Sequence, residues 1–140
     1  MKHAILVQQF IEQIWNQQSF EKLPNFLHSD FKDYSLPPSL AADPEGTKKW
    51  ILNTKHSFTH HSIIEEQVTE GEHSMIKIKM ELRHTGHWRG VEATGISLHT
   101  TGYRYFKFKE GKIIEHQALI DGESIEKALK TATHGCAIND

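Results

Sequence analysis

The side chains in this sequence best suited to moving protons near neutral pH are its histidines, eleven among 140 residues. A neutral imidazole also ligates metals, so spacing has to separate the two uses. His56, His60 and His61 lie close together and His84 and His87 are three apart, yet none forms H-E-x-x-H or a Cys/His zinc pattern. His56 and His60 would offer two ligands on one face only if a helix ran through both, and no third ligand accompanies them, so no metal site is expected. His84 ends an alternating segment on the side carrying Ile76, Ile78, Met80 and Leu82. An inward imidazole there could relay a proton, or it could be a hydrogen-bonded core histidine. Gln117 shares a strand face with Leu119 and Asp121 and could orient a ligand oxygen or belong to an interface. His116 falls on the opposite face, which suggests a subunit contact. Arg104 and Glu115 lie on the two arms of one predicted hairpin and read as a structural ion pair.

Local patterning predicts the elements that position these residues. Val7, Phe10, Ile11, Ile14 and Trp15 repeat at helical spacing with polar residues opposite, an amphipathic first helix. Ser19 can cap a short second helix that Pro24 keeps brief. A short strand is expected over Phe31–Leu36, ended by Pro37-Pro38. Asp43, Pro44 and Glu45 form an N-cap, N1, N2 series for a third helix with a stripe of Trp50, Ile51, Thr54 and Phe58. The period becomes two from Ser62 onward, and Ser74–His84 is the clearest strand. In Thr94–Lys109 the apolar parity shifts near Thr100, which predicts a bend or bulge there. Glu110-Gly111 reads as a hairpin turn, and the return strand Lys112–Ile120 has apolar residues on both faces. Ile125, Ala128, Leu129 and Ala132 mark a last helix. Helices followed by antiparallel strands describe an α+β domain, a curved sheet wrapped around a helical layer with an open end for a cavity.

A chain of this length with 37% apolar residues can bury one core, so a single domain over residues 1–133 with a tail at 134–140 is expected. A net charge of −2 from 16 basic and 18 acidic residues supplies no basic footprint for nucleic acid. No apolar run approaches a bilayer span and no signal-peptide core opens the chain, so a soluble intracellular protein with no membrane partner is expected. The single cysteine, Cys136, excludes an intramolecular disulfide. No Gly-rich phosphate loop or other cofactor fingerprint is present, and no cofactor is expected.

The block from His84 to Asp121 reads HTGHWRGVEATG and then GYRYFKFKEGKIIEHQALID. It resembles the SnoaL-like polyketide cyclases of the nuclear transport factor 2-like superfamily. His84, Gly86, Trp88, Gly90, Thr94, Gly95, Arg104, Gly111, Lys112, Glu115, His116 and Asp121 match the family's order, with a weaker match at Phe26, Leu27, Phe31, Asp33 and Gly46. Tyr34 and Gln117 depart from it, standing where the family often has histidine and usually has tryptophan. The resemblance implies a cone in which N-terminal helices pack inside a curved antiparallel sheet, and an internal cavity for a small, mostly apolar oxygenated ligand; a homodimer is expected through the sheet face of Ile114, His116, Ala118 and Ile120. It further implies cofactor-free acid/base chemistry of the cyclase, isomerase or hydrolase type, with Asp121 as the carboxylate that moves a proton beside a carbonyl and His84 assisting. Tyr34, Trp88 and Gln117 are then the expected ligand contacts. Asp121 also immediately precedes the last helix, where a carboxylate can simply cap backbone N–H groups. A non-catalytic binding or structural module of the same fold is the rival reading.

Overall fold

In the computed structural model, which describes residues 2–139 and the side chains of residues 2–133, the chain opens with helix α1 (Lys2–Phe10). The helix widens into a π-helical segment over Ile11–Asn16. Its apolar face behaves as the spacing predicts: Val7, Phe10, Ile11, Ile14 and Trp15 are all buried. Each such side chain contributes about 1.5–3 kcal/mol relative to an exposed one. The π-turn ends on Asn16, whose side-chain amide donates to Ser62 O and accepts from Ser62 N, pairing with strand backbone as another strand would. A 3-10 turn (Phe20–Lys22) and the one-turn helix α2 (Leu23–Phe26) follow, with Pro24 in the first turn, where its missing N–H costs nothing. Ser19 sits at the start of that turn without a side-chain cap.

Strand β1 (Leu27–Asp33) leads through a loop to α3 (Pro44–Ser57), which Asp43 caps by accepting from Gly46 N–H at 2.8 Å. A Cβ at Gly46 would lie 1.7 Å from Ala41 O, so only glycine lets the loop cross there. The helix stops at Ser57, and Phe58 already begins β2 (Phe58–Glu70). His56 and His60 therefore never share a helical face. Strands β3 (His73–His84), β4 (Ser97–Lys109) and β5 (Lys112–Ile120) complete one sheet of order β1-β5-β4-β3-β2. Every neighbouring pair is antiparallel except β1–β5, which is parallel, so the sheet is mixed where an antiparallel one was expected. Helix α4 (Gly122–Asn139) is the last element, and the side chain of Cys136 lies outside the described residues. Among the described residues no helix is long and apolar enough to cross a membrane.

Strand parity decides what faces the interior. In β4 the inward residues run unbroken as Leu98, Thr100, Gly102, Arg104, Phe106 and Phe108, so no bulge shifts the parity at Thr100. The irregularity sits in β5 instead, where Lys107 pairs Glu115 but Phe108 pairs Ile113, leaving Ile114 as the extra residue. Ile113 is therefore inward, and so are His116, Ala118 and Ile120, while Glu115, Gln117 and Leu119 face out. The lower half of this interior is a dry core of α1 residues against Ile76, Ile78, Phe106, Phe108 and Ile113. Above it the inward positions become polar.

Candidate functional site

Three neighbouring strands each deliver one polar side chain to the same place. Asp33 ends β1 and is the register partner of His116 on β5, and Arg104 reaches in from β4. Asp33, His116 and Arg104 are 4%, 4% and 3% exposed. The Nδ1 of His116 stands 2.8 Å from Asp33 Oδ2, and its Nε2 stands 3.3 Å from Arg104 Nη1. The other Asp33 oxygen accepts from Ser35 N–H at 2.9 Å and from Ser35 Oγ–H at 2.6 Å. The Arg104 guanidinium carbon stands over the ring of Trp15, presented by the π-turn, at 4.1 Å from its centroid.

Burial alone would raise the Asp33 carboxyl, but hydrogen bonds from His116 and Ser35 outweigh it and hold the group below its ordinary value of 3.8. For His116 burial dominates, is partly offset by Asp33 and reinforced by Arg104, and keeps the imidazole below 6.5. It is thus neutral at pH 7. An ionised Asp33 beside Nδ1 fixes the proton there, so Nε2 carries the lone pair and accepts from Arg104. Burial brings Arg104 down to about 10, with Asp33 opposing the shift. It remains a cation.

This cluster forms part of the wall of a cavity of about 480 Å³. Trp15, Trp50, Phe58, Met80, Leu82, Trp88 and Ile125 supply the apolar and aromatic part of the rest, while Thr47, Asn53, Thr54, Ser57 and Arg89 add polar groups to it. An open groove of about 530 Å³ lies elsewhere, along Thr59, His61, Lys79, Glu81, Arg83 and His99, but it carries no buried charge. Of these two, the first combines enclosure with buried charge. Among the described residues no group of three or more His, Cys, Asp or Glu is placed to hold a metal.

A family model for SnoaL-like polyketide cyclases matches residues 5–129. The chain belongs to the SnoaL-like family. No curated protein matches it in sequence. Among solved structures it is similar to TsrD from Streptomyces laurentii, with 18% identity, TM-score 0.80, and 91% of this chain and 94% of that one covered. A SnoaL-like polyketide cyclase from Agrobacterium tumefaciens gives 13% identity and TM-score 0.70, covering 85% and 91%. An LEH-like epoxide hydrolase from M. tuberculosis gives 12% and 0.69, covering 99% and 97%. At these identities the likeness is one of fold.

Within this SnoaL-like cone the residues singled out from sequence go to different places. Trp88 lines the cavity and packs edge-on against Phe58 at 5.3 Å. His84 is fully buried beside Phe58, where its Nδ1 accepts from Thr94 N–H at 3.1 Å and Thr94 Oγ lies 3.0 Å away. It fastens the Thr94-Gly95 turn and is not among the cavity-lining residues. Asp121 is exposed and caps α4, accepting from Ser124 N–H at 3.0 Å. Tyr34 is 58% exposed, and its backbone N–H, not its ring, meets the site by donating to His116 O at 2.9 Å. Gln117 is exposed on the outer face because the bulge at Ile114 sets the parity of β5. The same parity takes His116 away from any outer contact and separates Arg104 from Glu115, which pair Ala118 and Lys107 instead.

Asp33, Arg104 and His116 all stand in the matched motif positions, yet strand patterning pointed two of them elsewhere. The signal was present as polar residues inside otherwise apolar strands. His116 interrupts Ile113–Ile120, and Arg104 interrupts an aromatic run. At the cavity rim, Trp88–Val91 closes a tight turn with Arg89 at φ +46° and Gly90 at φ +77°. This turn aims Arg89 over the Trp88 ring at 4.5 Å and toward Glu126 on α4 at 3.4 Å.

Proposed function

We propose that the protein is a cofactor-independent acid/base enzyme acting on a small, mostly apolar ligand with a carbonyl group, and that His116 is its base. The observation that carries this reading is the Asp33–His116 pair at 2.8 Å, buried at a cavity wall with a neutral imidazole. His116 Nε2 takes a proton from carbon beside the carbonyl, and the C–H electron pair moves into the C–C–O system to give an enolate. For this Arg104 first turns its N–H from Nε2 to the carbonyl oxygen, which frees the lone pair and places the cation where the enolate charge develops. The imidazolium stabilised by Asp33 returns the proton later in the reaction. A base placed in this way contributes about 10²–10⁴-fold, and a cation facing the developing charge adds to it in a poorly hydrated site. Asp121, exposed as a helix cap, has the weaker case for the proton-moving role.

The test is deuterium exchange. In D2O, 2-tetralone should lose its α-proton NMR signals faster with protein than without, and His116→Gln should remove the acceleration. Exchange no faster than buffer would shift the reading to a non-catalytic binding module. That alternative has its own support, because Arg104 already occupies the Nε2 lone pair in the resting site.

A homodimer stays part of this proposal. The outer face of the sheet exposes Leu119 (76%), Val68 (72%), Met75 and Tyr103, apolar surface that pairing of two copies would cover. Light scattering giving a monomer at micromolar concentration would remove it.

A further inference from the structure

We propose that the cavity takes its ligand as a carboxylate, with Arg104 as the counter-cation, so that the substrate class is an apolar, ring-containing monocarboxylic acid. The inference rests on the cavity described above and not on His116 acting as a base. Buried charges in folded proteins are ordinarily paired directly, because an isolated one loses its hydration without compensation. Arg104 is 3% exposed, yet among the described residues no carboxylate lies within salt-bridge distance of its guanidinium.

The protein groups around it leave the cation incompletely satisfied. Nη1 reaches the neutral His116, and the guanidinium carbon stands over the Trp15 ring. Nε is buried with no hydrogen-bond partner. Asp33, the carboxylate behind His116, has both oxygens engaged by Ser35 and His116. Around this cation the cavity is mostly apolar and aromatic. A carboxylate matches the planar fork of a guanidinium; Asp33 offsets the Arg104 charge only across the His116 ring, and Arg89, the other cation of the lining, is part-exposed and already held by Glu126.

The body of the ligand follows from the rest of the wall. All three tryptophans of the chain, Trp15, Trp50 and Trp88, line the cavity, which suits a ring. They also make the intrinsic fluorescence of the protein a direct reporter of occupancy.

The experiment is a tryptophan-fluorescence titration of the full chain with cyclohexaneacetate and with cyclohexaneacetamide, which share shape and differ in charge. The acid is expected to bind at least about tenfold more tightly than the amide at neutral pH. Arg104→Met is expected to erase that preference, and Arg104→Lys, which keeps the charge in case the methionine variant fails to fold, to retain part of it. Equal affinities in the wild type, no binding of the acid at about 10 mM, or a preference that survives in Arg104→Met overturns the proposal. Equal affinities with exchange of 2-tetralone intact would leave His116 as the base and limit Arg104 to charge that develops during reaction. Acid preference without exchange would leave the carboxylate site standing alone.

Discussion

The Nδ1 of His116 lies 2.8 Å from the Oδ2 of Asp33 across the parallel β1–β5 pair of the sheet. Parallel register sets the two residues opposite one another, and the tautomer this dictates turns the Nε2 lone pair toward Arg104. In wild type, nitrogen NMR should show His116 protonated at Nδ1. Asp33→Asn should remove that preference, and Asp33→Ala should cost about 3 kcal/mol in urea unfolding, because the buried imidazole and Ser35 lose their acceptor. An unchanged tautomer in Asp33→Asn would show that the carboxylate does not orient the ring.

Stability should fall as the pH drops below 6.5. His116 and His60 are both held below that value, chiefly by burial, so between it and their folded pKa values the unfolded chain binds more protons than the native one. Their contribution is fully present above 6.5 and is lost as the pH falls through the folded values. Asp33, lowered from 3.8, adds a loss of the same sign in more acid solution. The urea midpoint should decrease from about pH 7.5 to about pH 5, and His116→Gln should flatten the slope. A flat profile in wild type would contradict the burial of both rings.

The matched motif around His84 should behave as structure. Thr94→Val removes the hydroxyl next to His84 Nδ1 and is expected to cost about 1–2 kcal/mol. Gly86→Ala should cost about 2–3 kcal/mol, because its Cβ would stand 2.1 Å from the backbone oxygen of His56. Urea denaturation measures both, and values near zero would mean that the loop relaxes freely.

Asp121→Ala separates the cap from the site. Losing the bond to Ser124 N–H should cost about 1 kcal/mol, while the affinity for cyclohexaneacetate should stay as in wild type. A loss of binding or of ketone exchange without a matching loss of stability would return Asp121 to the chemistry.

Opening the rim should change rates more than affinity. Arg89 spans from the Trp88 turn to Glu126, and Gly122 leaves it room, since a Cβ there would lie 2.9 Å from its Nη2. Arg89→Ala is expected to speed both association and dissociation of cyclohexaneacetate in stopped-flow fluorescence. Unchanged association would show that the rim does not limit access.

Local patterning was enough for most elements, although β1 spans Leu27–Asp33 and not Phe31–Leu36, and β2 begins at Phe58, which the helical stripe includes. The apolar stripe from Val7 to Trp15, the Asp43-Pro44 cap, the alternation of Ser74–His84 and the Glu110-Gly111 turn all depend on neighbours in sequence, and each appears where its period places it. The motif from His84 to Asp121 was likewise enough to name the family, because it combines turn glycines such as Gly95 with the residues that fasten them.

Which face of β4 and β5 is the inside was decided only by the tertiary structure. A cavity reverses the usual rule: Thr100, Arg104 and His116 point inward, and Tyr103 and Leu119 point out. The hydrophobic period therefore misleads at the strands that build the site. One bulge residue, Ile114, then fixes the parity that sends His116 in and Gln117 out. The meeting of Asp33 with His116, residues 83 apart in the chain, needed the parallel pairing of β1 with β5, and no local pattern encodes that long-range register.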